Sequence, residues 1–537
     1  MFDYAAHGLR PPSRRPEIPG RPQSVAEVLD PVLAREPERL ALVGRRGRFR
    51  FDELDREANR AAQALRGLGV GPGDRVAACL PNDAAIVVAF LGCMRLGALW
   101  VGVNRPLAAR EKAHILSDSG ACTLLAAPAV LEELAAEQPP DLRHRIAVDP
   151  GEPGDEWAPR LAEASEERPG PPPDAWGPAA IAYTSGTTGL PKGAVHSQHN
   201  LLLPGAVSAA EGQHPLGVTQ AAVLPLTILN IFVLGPVHAW QHHATSVAVD
   251  CIDAVGLAEW VERERIGSFA AVPTVIHDLL THPEVRHGQL ESLTQPLVGG
   301  AECPEEFRRL YRERFGRDVA IGYGMTEAPT SIARADGEPQ PRPGLCGRAL
   351  PQVEISIRDS DGRELPPGEV GEICAGPARS GAWAGVYTPM LGYWGRPEAT
   401  EEALAGGVYH SGDLGLLEAD GTLFIRGRRN ELILRGGANV YPAEVERVLL
   451  EHDAVSEAAV LGVSDARLGE RVMAAVRLDA GAVCNETALR DHCRERIARY
   501  KVPDRVVFVE ALPRNAMSKV IKRELIPLFD AEDDVTP

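Results

Sequence analysis

No two of the nine cysteines stand in a C-x-x-C spacing. Odd in number and scattered from Cys79 to Cys493, they suggest neither a disulfide framework nor a zinc site, and a reducing cytoplasm fits that usage. Basic residues are in deficit, 56 Lys and Arg against 74 Asp and Glu. The resulting net charge of −18 argues against nonspecific nucleic-acid binding and against docking on an acidic membrane face. It does not exclude anionic ligands, which a local basic pocket can hold. The N-terminus lacks the apolar core of a secretory signal. No stable membrane insertion is expected either: residues 84–103 are interrupted by Arg95 and read as a buried helix and strand, while the uncharged region 212–249 carries Pro215, Pro225 and Pro236 and reads as interior. No period of 20–50 residues recurs, which disfavours a repeat architecture. His238, His242 and His243 have no carboxylate partner at ligand spacing, so no metal centre is expected there.

What is present is a globular composition, 44% hydrophobic and 24% charged. The 537 residues imply about three or four folding units. Residues 51–68 place Leu54, Ala58, Ala61, Ala62 and Leu65 on one helical face. A strand at 75–80, a helix at 84–96 and a strand at 122–126 follow, an alternation that predicts α/β layering on parallel strands. Residues 132–178, polar and proline-rich, read as a surface connector. Residues 368–422 are dense in glycine and short strands and predict a β-rich subdomain. The last ~110 residues, from about 430, alternate helical and strand patterns as a small α+β domain.

The chain is organised around IAYTSGTTGLPKGAVHSQHN, residues 181–200. Thr184, Ser185, Gly186, Thr187, Thr188 and Gly189 lead to Pro191, Lys192 and Gly193. Small residues let backbone N–H groups close around an anion, hydroxyls add donors, and Lys192 adds charge. A turn of this composition can also exist without a ligand. The Walker A spacing is missing, because Pro191 precedes Lys192 and Gly193 follows it, so a P-loop NTPase is disfavoured. Further on, LVGGAE carries Gly299, Gly300 and Ala301, and IGYGMTEA carries Tyr323, Gly324, Thr326 and Glu327. In the latter, a ring can stack on a purine, a hydroxyl can donate to a phosphate, and a carboxylate suits Mg²⁺. HSGDLG presents Asp413, whose carboxylate can accept two hydroxyls.

In this order, the strings resemble the adenylate-forming superfamily of acyl- and aryl-CoA synthetases, peptide-synthetase adenylation domains and luciferases, over about Ser24 to Leu525. GGANVYPAEVE resembles the acyl-CoA synthetase branch in particular. The resemblance implies an α/β fold with a large N-terminal domain, 1–429, of two α/β-layered subdomains and a β-rich one, followed by a small mobile α+β domain, 430–537. It implies a two-step ligase: a carboxylic acid attacks the ATP α-phosphorus, and the acyl-AMP then passes its acyl group to the CoA thiol. By the same resemblance Thr184, Ser185, Gly186, Thr187, Thr188, Gly189 and Lys192 hold phosphates. Gly299, Gly300, Ala301, Tyr323 and Gly324 line the nucleotide, Thr326 meets the α-phosphate, and Glu327 holds Mg²⁺. Asp413 and Arg428 take the ribose, Asn430 is the hinge, and Gly436, Gly437 and Ala438 line a CoA channel. Lys519 bridges the attacking carboxylate and the α-phosphate.

The acyl pocket is assigned to Ile228, Leu229, Asn230 and Val272. Many relatives carry an aromatic and a histidine where this chain has Thr227 and Ile228, and no charged anchor is near, which favours an apolar acid. Two departures, Ser518 for the usual glycine and Asn430 for the usual Asp or Lys, leave open an enzyme specialised for thioesterifying a supplied adenylate. The same strings also admit an enzyme that loads a carrier protein and a protein that binds nucleotide without catalysis. The acid is not readable, and the oligomeric state, a homodimer among the options, is open.

Overall fold

The helical pattern at 51–68 folds as the helix Phe51–Gly67, and all five residues of its expected face are fully buried. It packs on the helix Ala84–Leu96, where a Cβ on Gly92 would lie 2.6 Å from that of Ala61. Glycine and alanine at the crossing let the two backbones meet closely. The strand Leu99–Gly102 follows, so residues 84–103 form the interior helix and strand expected of them. Among the described residues no helix is long and apolar enough to cross a membrane.

The computed structural model describes residues 2–184, 191–294, 296–299, 305–336, 342–435, 438–465, 467–514 and 520–530. Two compact units divide the chain, one of Met1–Ile355 with Cys374–His410, the other of Ser356–Ile373 with Ser411–Pro537. The first contains a seven-stranded sheet in the order Gly392–Tyr393, Lys192–Ser197, Pro178–Thr184, Leu99–Gly102, Arg75–Cys79, Thr123–Ala126, His144–Ala147. Its last five strands run parallel, as the α/β alternation predicts.

The connector expected at 132–178 is more ordered than its composition predicts. His144–Ala147 adds the final parallel strand, and the helix Trp157–Glu163 buries Trp157. A four-residue strand with only Ile146 fully buried has too short an apolar alternation to stand out from a polar, proline-rich surround.

A second set of strands in the same unit runs parallel from Leu40–Gly44 through Ser246–Ala248, Gln220–Ala222, Ser268–Ala271 and Leu297–Val298 to Ile321–Met325. Thr330–Ala335 and Leu345–Ala349 then continue it antiparallel. Phe269, Val247, Trp260 and Leu279 sit in its core. In the second unit, Ala438–Val440, Ile433–Arg435, Gly469–Leu478 and Val455–Asp465 form an antiparallel sheet, and Arg505–Phe508 joins parallel to Gly469–Leu478. The helices Pro442–Leu450 and Glu486–Arg496 bury Val445, Leu449 and Leu489 on one face, and Leu512, Leu525 and Phe529 cover the other.

Three of the buried histidines of the first unit form a cluster. His238 and His242 stack at 4.0 Å, and His214 stands edge-on to both at 5.6 Å. The Nε2 atoms of His238 and His242 converge on Ser208 Oγ at 3.1 and 3.3 Å, and His242 Nδ1–H donates to the His238 carbonyl at 2.8 Å. Burial, then the neighbouring rings, pushes His214 down to about 4 and His238 well below the ordinary histidine range; burial lowers His242 too. All three are therefore neutral when folded and charge on unfolding below about 6.5. Stability from this cluster is whole above that pH and is lost as pH falls toward 4. Urea unfolding should show a flat midpoint from pH 8 to 7 and a falling one from 6.5 toward 4, each histidine contributing up to about 1.4 kcal/mol per pH unit. A midpoint independent of pH across that window would contradict the neutral cluster.

Candidate functional site

The strands Pro178–Thr184 and Lys192–Ser197 are antiparallel neighbours in which Thr184 faces Lys192. Thr184 Oγ1 donates to the Lys192 carbonyl at 3.4 Å. Ser185, Gly186, Thr187, Thr188 and Gly189, which connect them, lie outside the described residues. Glycine is required at 193, where a Cβ would fall 2.5 Å from Ile181 Cγ2. On the other edge Lys192–Ser197 pairs with Gly392–Tyr393, which brings Tyr393 opposite Ala194. The Lys192 ammonium sits 5.3 Å from the centre of the Tyr393 ring, and Tyr393 Oη donates to Glu327 Oε1 at 2.9 Å. A cation, an aromatic face and a carboxylate thus stand in a row.

Glu327 belongs to the four-residue connection, 326–329, of the hairpin Ile321–Met325 and Thr330–Ala335. Tyr323 and Gly324 lie on its first strand, and a Cβ on Gly324 would lie 1.9 Å from the Thr330 carbonyl oxygen, so no other residue fits. Thr330, β-branched, is held at φ 82°, a conformation that costs about 1–3 kcal/mol. The connection is gripped from outside: Met390 N–H donates to the Glu327 carbonyl at 3.2 Å, and His196 Nε2–H to the Thr326 carbonyl at 2.8 Å. His196 is completely buried, and burial pushes it down to about 4, so the ring is neutral.

The polar tail after Lys192 is a set of buried clamps. Ser197 caps the helix Gln198–Ala210 by accepting from Asn200 N–H. Gln198 Nε2 donates to the Met94 carbonyl at 2.8 Å, His199 Nε2–H to that of Val386 at 2.9 Å, and Asn200 Nδ2 to that of Pro389 at 2.9 Å. The signal that could have revealed them is a run of amide and imidazole side chains at a strand-to-helix junction, where uncapped carbonyls from other segments need donors. Tyr393 carries no such signal, since nothing local marks a two-residue strand.

Gly299 closes the strand Leu297–Val298 and donates its N–H to the Ala271 carbonyl at 3.2 Å; Gly300 and Ala301 lie outside the described residues. Of the acyl-pocket assignments, Leu229 is buried in the short helix Leu229–Phe232, while Ile228, Asn230 and Val272 keep part of their surface exposed. Among the described residues Asn230 Oδ1 is buried without a hydrogen-bond partner. Thr227 is held as structure: a Cβ on Gly102 would lie 1.9 Å from its carbonyl oxygen. Just before it, Asn82 Oδ1 accepts from Leu226 N–H at 2.7 Å, and Asn82 Nδ2 donates to the Leu224 and Ala222 carbonyls at 2.9 and 3.2 Å.

In the second unit, the strands Tyr409–Leu417 and Leu423–Arg428 set Asp413 opposite Arg428, and Arg428 Nε lies 2.7 Å from Asp413 Oδ1. Asp413 is buried and Arg428 is about half exposed. Ser411 Oγ accepts from Asp413 N–H at 3.0 Å and donates to the Ile373 carbonyl at 2.7 Å, which fixes the strand just before the carboxylate. Asn430 is exposed in the short helix Arg429–Glu431. Ala438 opens the strand Ala438–Val440 opposite Arg435; Gly436 and Gly437 between them, and Lys519 with Ser518, lie outside the described residues.

The chain matches the family model described as "AMP-binding enzyme" over residues 29–394 and the model "AMP-binding enzyme C-terminal domain" over 444–519. It is 32% identical to a long-chain-fatty-acid–CoA ligase, FadD13, of Mycobacterium tuberculosis over 494 residues, 90% of this chain and 94% of that protein. It is 34% identical to a feruloyl-CoA synthase of an Amycolatopsis species over 479 residues, 88% and 93% of the two chains. The crystal structure of ATP-bound MatB from Rhodopseudomonas palustris superposes with a TM-score of 0.83 at 27% identity, covering 94% of this chain and 99% of that one.

Replacing Asn82 with alanine would leave Leu226 N–H and the Leu224 carbonyl without their buried partner, while the Ala222 carbonyl keeps the bond it accepts from Val249 N–H at 3.0 Å. A loss of about 2–4 kcal/mol in unfolding free energy is expected, read from urea unfolding at pH 7.5. A change below about 0.5 kcal/mol would show that the segment holds itself without the clamp.

Proposed function

The chain belongs to the AMP-binding enzyme family as an acid–thiol ligase of the acyl-CoA synthetase kind, and we propose that it activates an apolar carboxylic acid through an acyl-AMP before acylating CoA. In the first step a carboxylate oxygen attacks the α-phosphorus of ATP, and the bond from that phosphorus to the bridging oxygen breaks, releasing pyrophosphate. In the second the CoA sulfur attacks the acyl carbon, the carbon–oxygen bond to phosphate breaks, AMP leaves and the thiol proton is given up. Supporting this reading is the Lys192–Tyr393–Glu327 row, in which Tyr393, on the strand paired with that of Lys192, holds the carboxylate of the 326–329 connection by a hydrogen bond.

Under this proposal Thr184, Ser185, Gly186, Thr187, Thr188, Gly189 and Lys192 hold the phosphates; Gly299, Gly300, Ala301, Tyr323 and Gly324 take the base. Thr326 donates to the α-phosphate, and Asp413 with Arg428 takes the ribose. Glu327 suits Mg²⁺, because Oε1 accepts the hydrogen bond of the Tyr393 hydroxyl while Oε2 accepts none from the described residues. The ion would screen repulsion among phosphate oxygens. Lys519 would offset the charge of the two anions as they meet. Ile228, Leu229, Asn230 and Val272 would line the acyl pocket and Gly436, Gly437 and Ala438 the CoA channel, with residues 430–537 pivoting at Asn430 between the two steps.

Pyrophosphate release and thioester formation, measured over a panel from acetate to fatty, alicyclic and aryl acids, should favour the larger apolar acids. Adenylation with acetate alone would overturn the apolar reading. For Lys519→Ala, pyrophosphate release should fall by about 10²–10³-fold. Thioester formation from a synthetic acyl-AMP should survive in that variant. Equal loss of both half-reactions would remove the lysine from the first step.

A further inference from the structure

We infer that His196 is a positioning residue for the adenylation step: its Nε2–H holds the Thr326–Glu327 peptide in place, and with it the hydroxyl and carboxylate proposed to meet the α-phosphate and magnesium. The inference rests on the function proposed above. The connection 326–329 carries both groups and leads straight into Thr330, whose φ of 82° a β-branched residue adopts only under external constraint. The connection is held by the strand pair Lys192–Ser197 and Gly392–Tyr393 and by Met390, just before the second strand. Met390 N–H and Tyr393 Oη grip Glu327, and His196 alone among these grips the peptide at Thr326.

Strand geometry gives the grip its meaning. Lys192, Ala194 and His196 alternate with Gly193, Val195 and Ser197, so the lysine and the imidazole leave the same face of Lys192–Ser197, about 13 Å apart along it. The separation between the proposed phosphate-binding cation and the Thr-Glu connection is thereby set by a strand hydrogen-bonded on both edges. A loop by itself would not hold it.

The tautomer of the ring agrees with this grip. A carbonyl can only accept, so the ring proton is on Nε2, and Nδ1 is buried with no hydrogen-bond partner among the described residues. A leucine would fill this volume with no orphaned nitrogen. The ring is therefore accounted for by the bond it donates and not by packing.

The test uses the full chain, the His196→Ala and His196→Gln variants, and ATP titrated calorimetrically with Mg²⁺ or with EDTA. The wild-type protein should bind ATP at least about 10-fold tighter with Mg²⁺. His196→Ala should shrink that ratio to about 3-fold or less while leaving metal-free ATP affinity nearly unchanged, measured well below a thermal midpoint that the emptied buried site will lower. In His196→Gln, whose carboxamide can donate to the same carbonyl, most of the ratio should return. With an acid from the panel, the alanine variant should lose about 30-fold in kcat for pyrophosphate exchange and less than about 3-fold in thioester formation from acyl-AMP. An unchanged magnesium ratio, or equal losses with and without the ion, would overturn the positioning role while leaving the proposed function standing. A wild-type protein that binds ATP under neither condition would overturn both.

Discussion

The strand Lys192–Ser197 is hydrogen-bonded along both edges, and that double pairing is the constraint from which the rest of the site follows. Thr184 faces its first residue and Tyr393 its third. Because side chains alternate, slipping either register by one residue would turn the lysine and His196 to the opposite face. Gly193 leaves no room for a side chain between the strand and Ile181, so the strand cannot shift to relieve an error elsewhere. Tyr393, on the flanking strand, then links the ammonium of Lys192 to the carboxylate of Glu327 without either charge being buried alone.

A second theme is the neutral buried imidazole. His196 and His199 each donate to a backbone carbonyl of a distant segment, and His238 and His242 converge on a serine hydroxyl with His214 edge-on to both. Desolvation keeps all of them uncharged, and a neutral ring can bridge two segments inside a core where a lysine could not. These bonds tie irregular connections, which have no ladder of their own, to regular ones. Local order at 326–329 and at 386–394 comes from side chains belonging to residues 196–200 and 393.

Similarity to fatty-acid and feruloyl ligases says that one framework serves chemically different acids, so the family alone does not name the acid. The segment 222–232 shows where such variation can be accommodated. Asn82 and Gly102 hold its first half against the sheet, and Leu229 is committed to the core. Ile228 and Asn230 remain partly exposed, and a change there need not disturb the strands beneath.

The α/β alternation, the helices at 51–67 and 84–96 and the order of the motifs were all legible in the chain itself, because apolar periodicity and glycine-rich strings are local properties. So was the family, since its motifs are contiguous. The strand at 144–147 was hidden, because its own alternation is too short to register. Only the tertiary structure could decide that Asp413 pairs across strands with Arg428, that Thr227 is pressed on Gly102, and that His196 grips Thr326 from 130 residues away. Such relations depend on which strands become neighbours and in what register, and that choice is made by burial summed over a whole core, a quantity no short stretch of sequence contains.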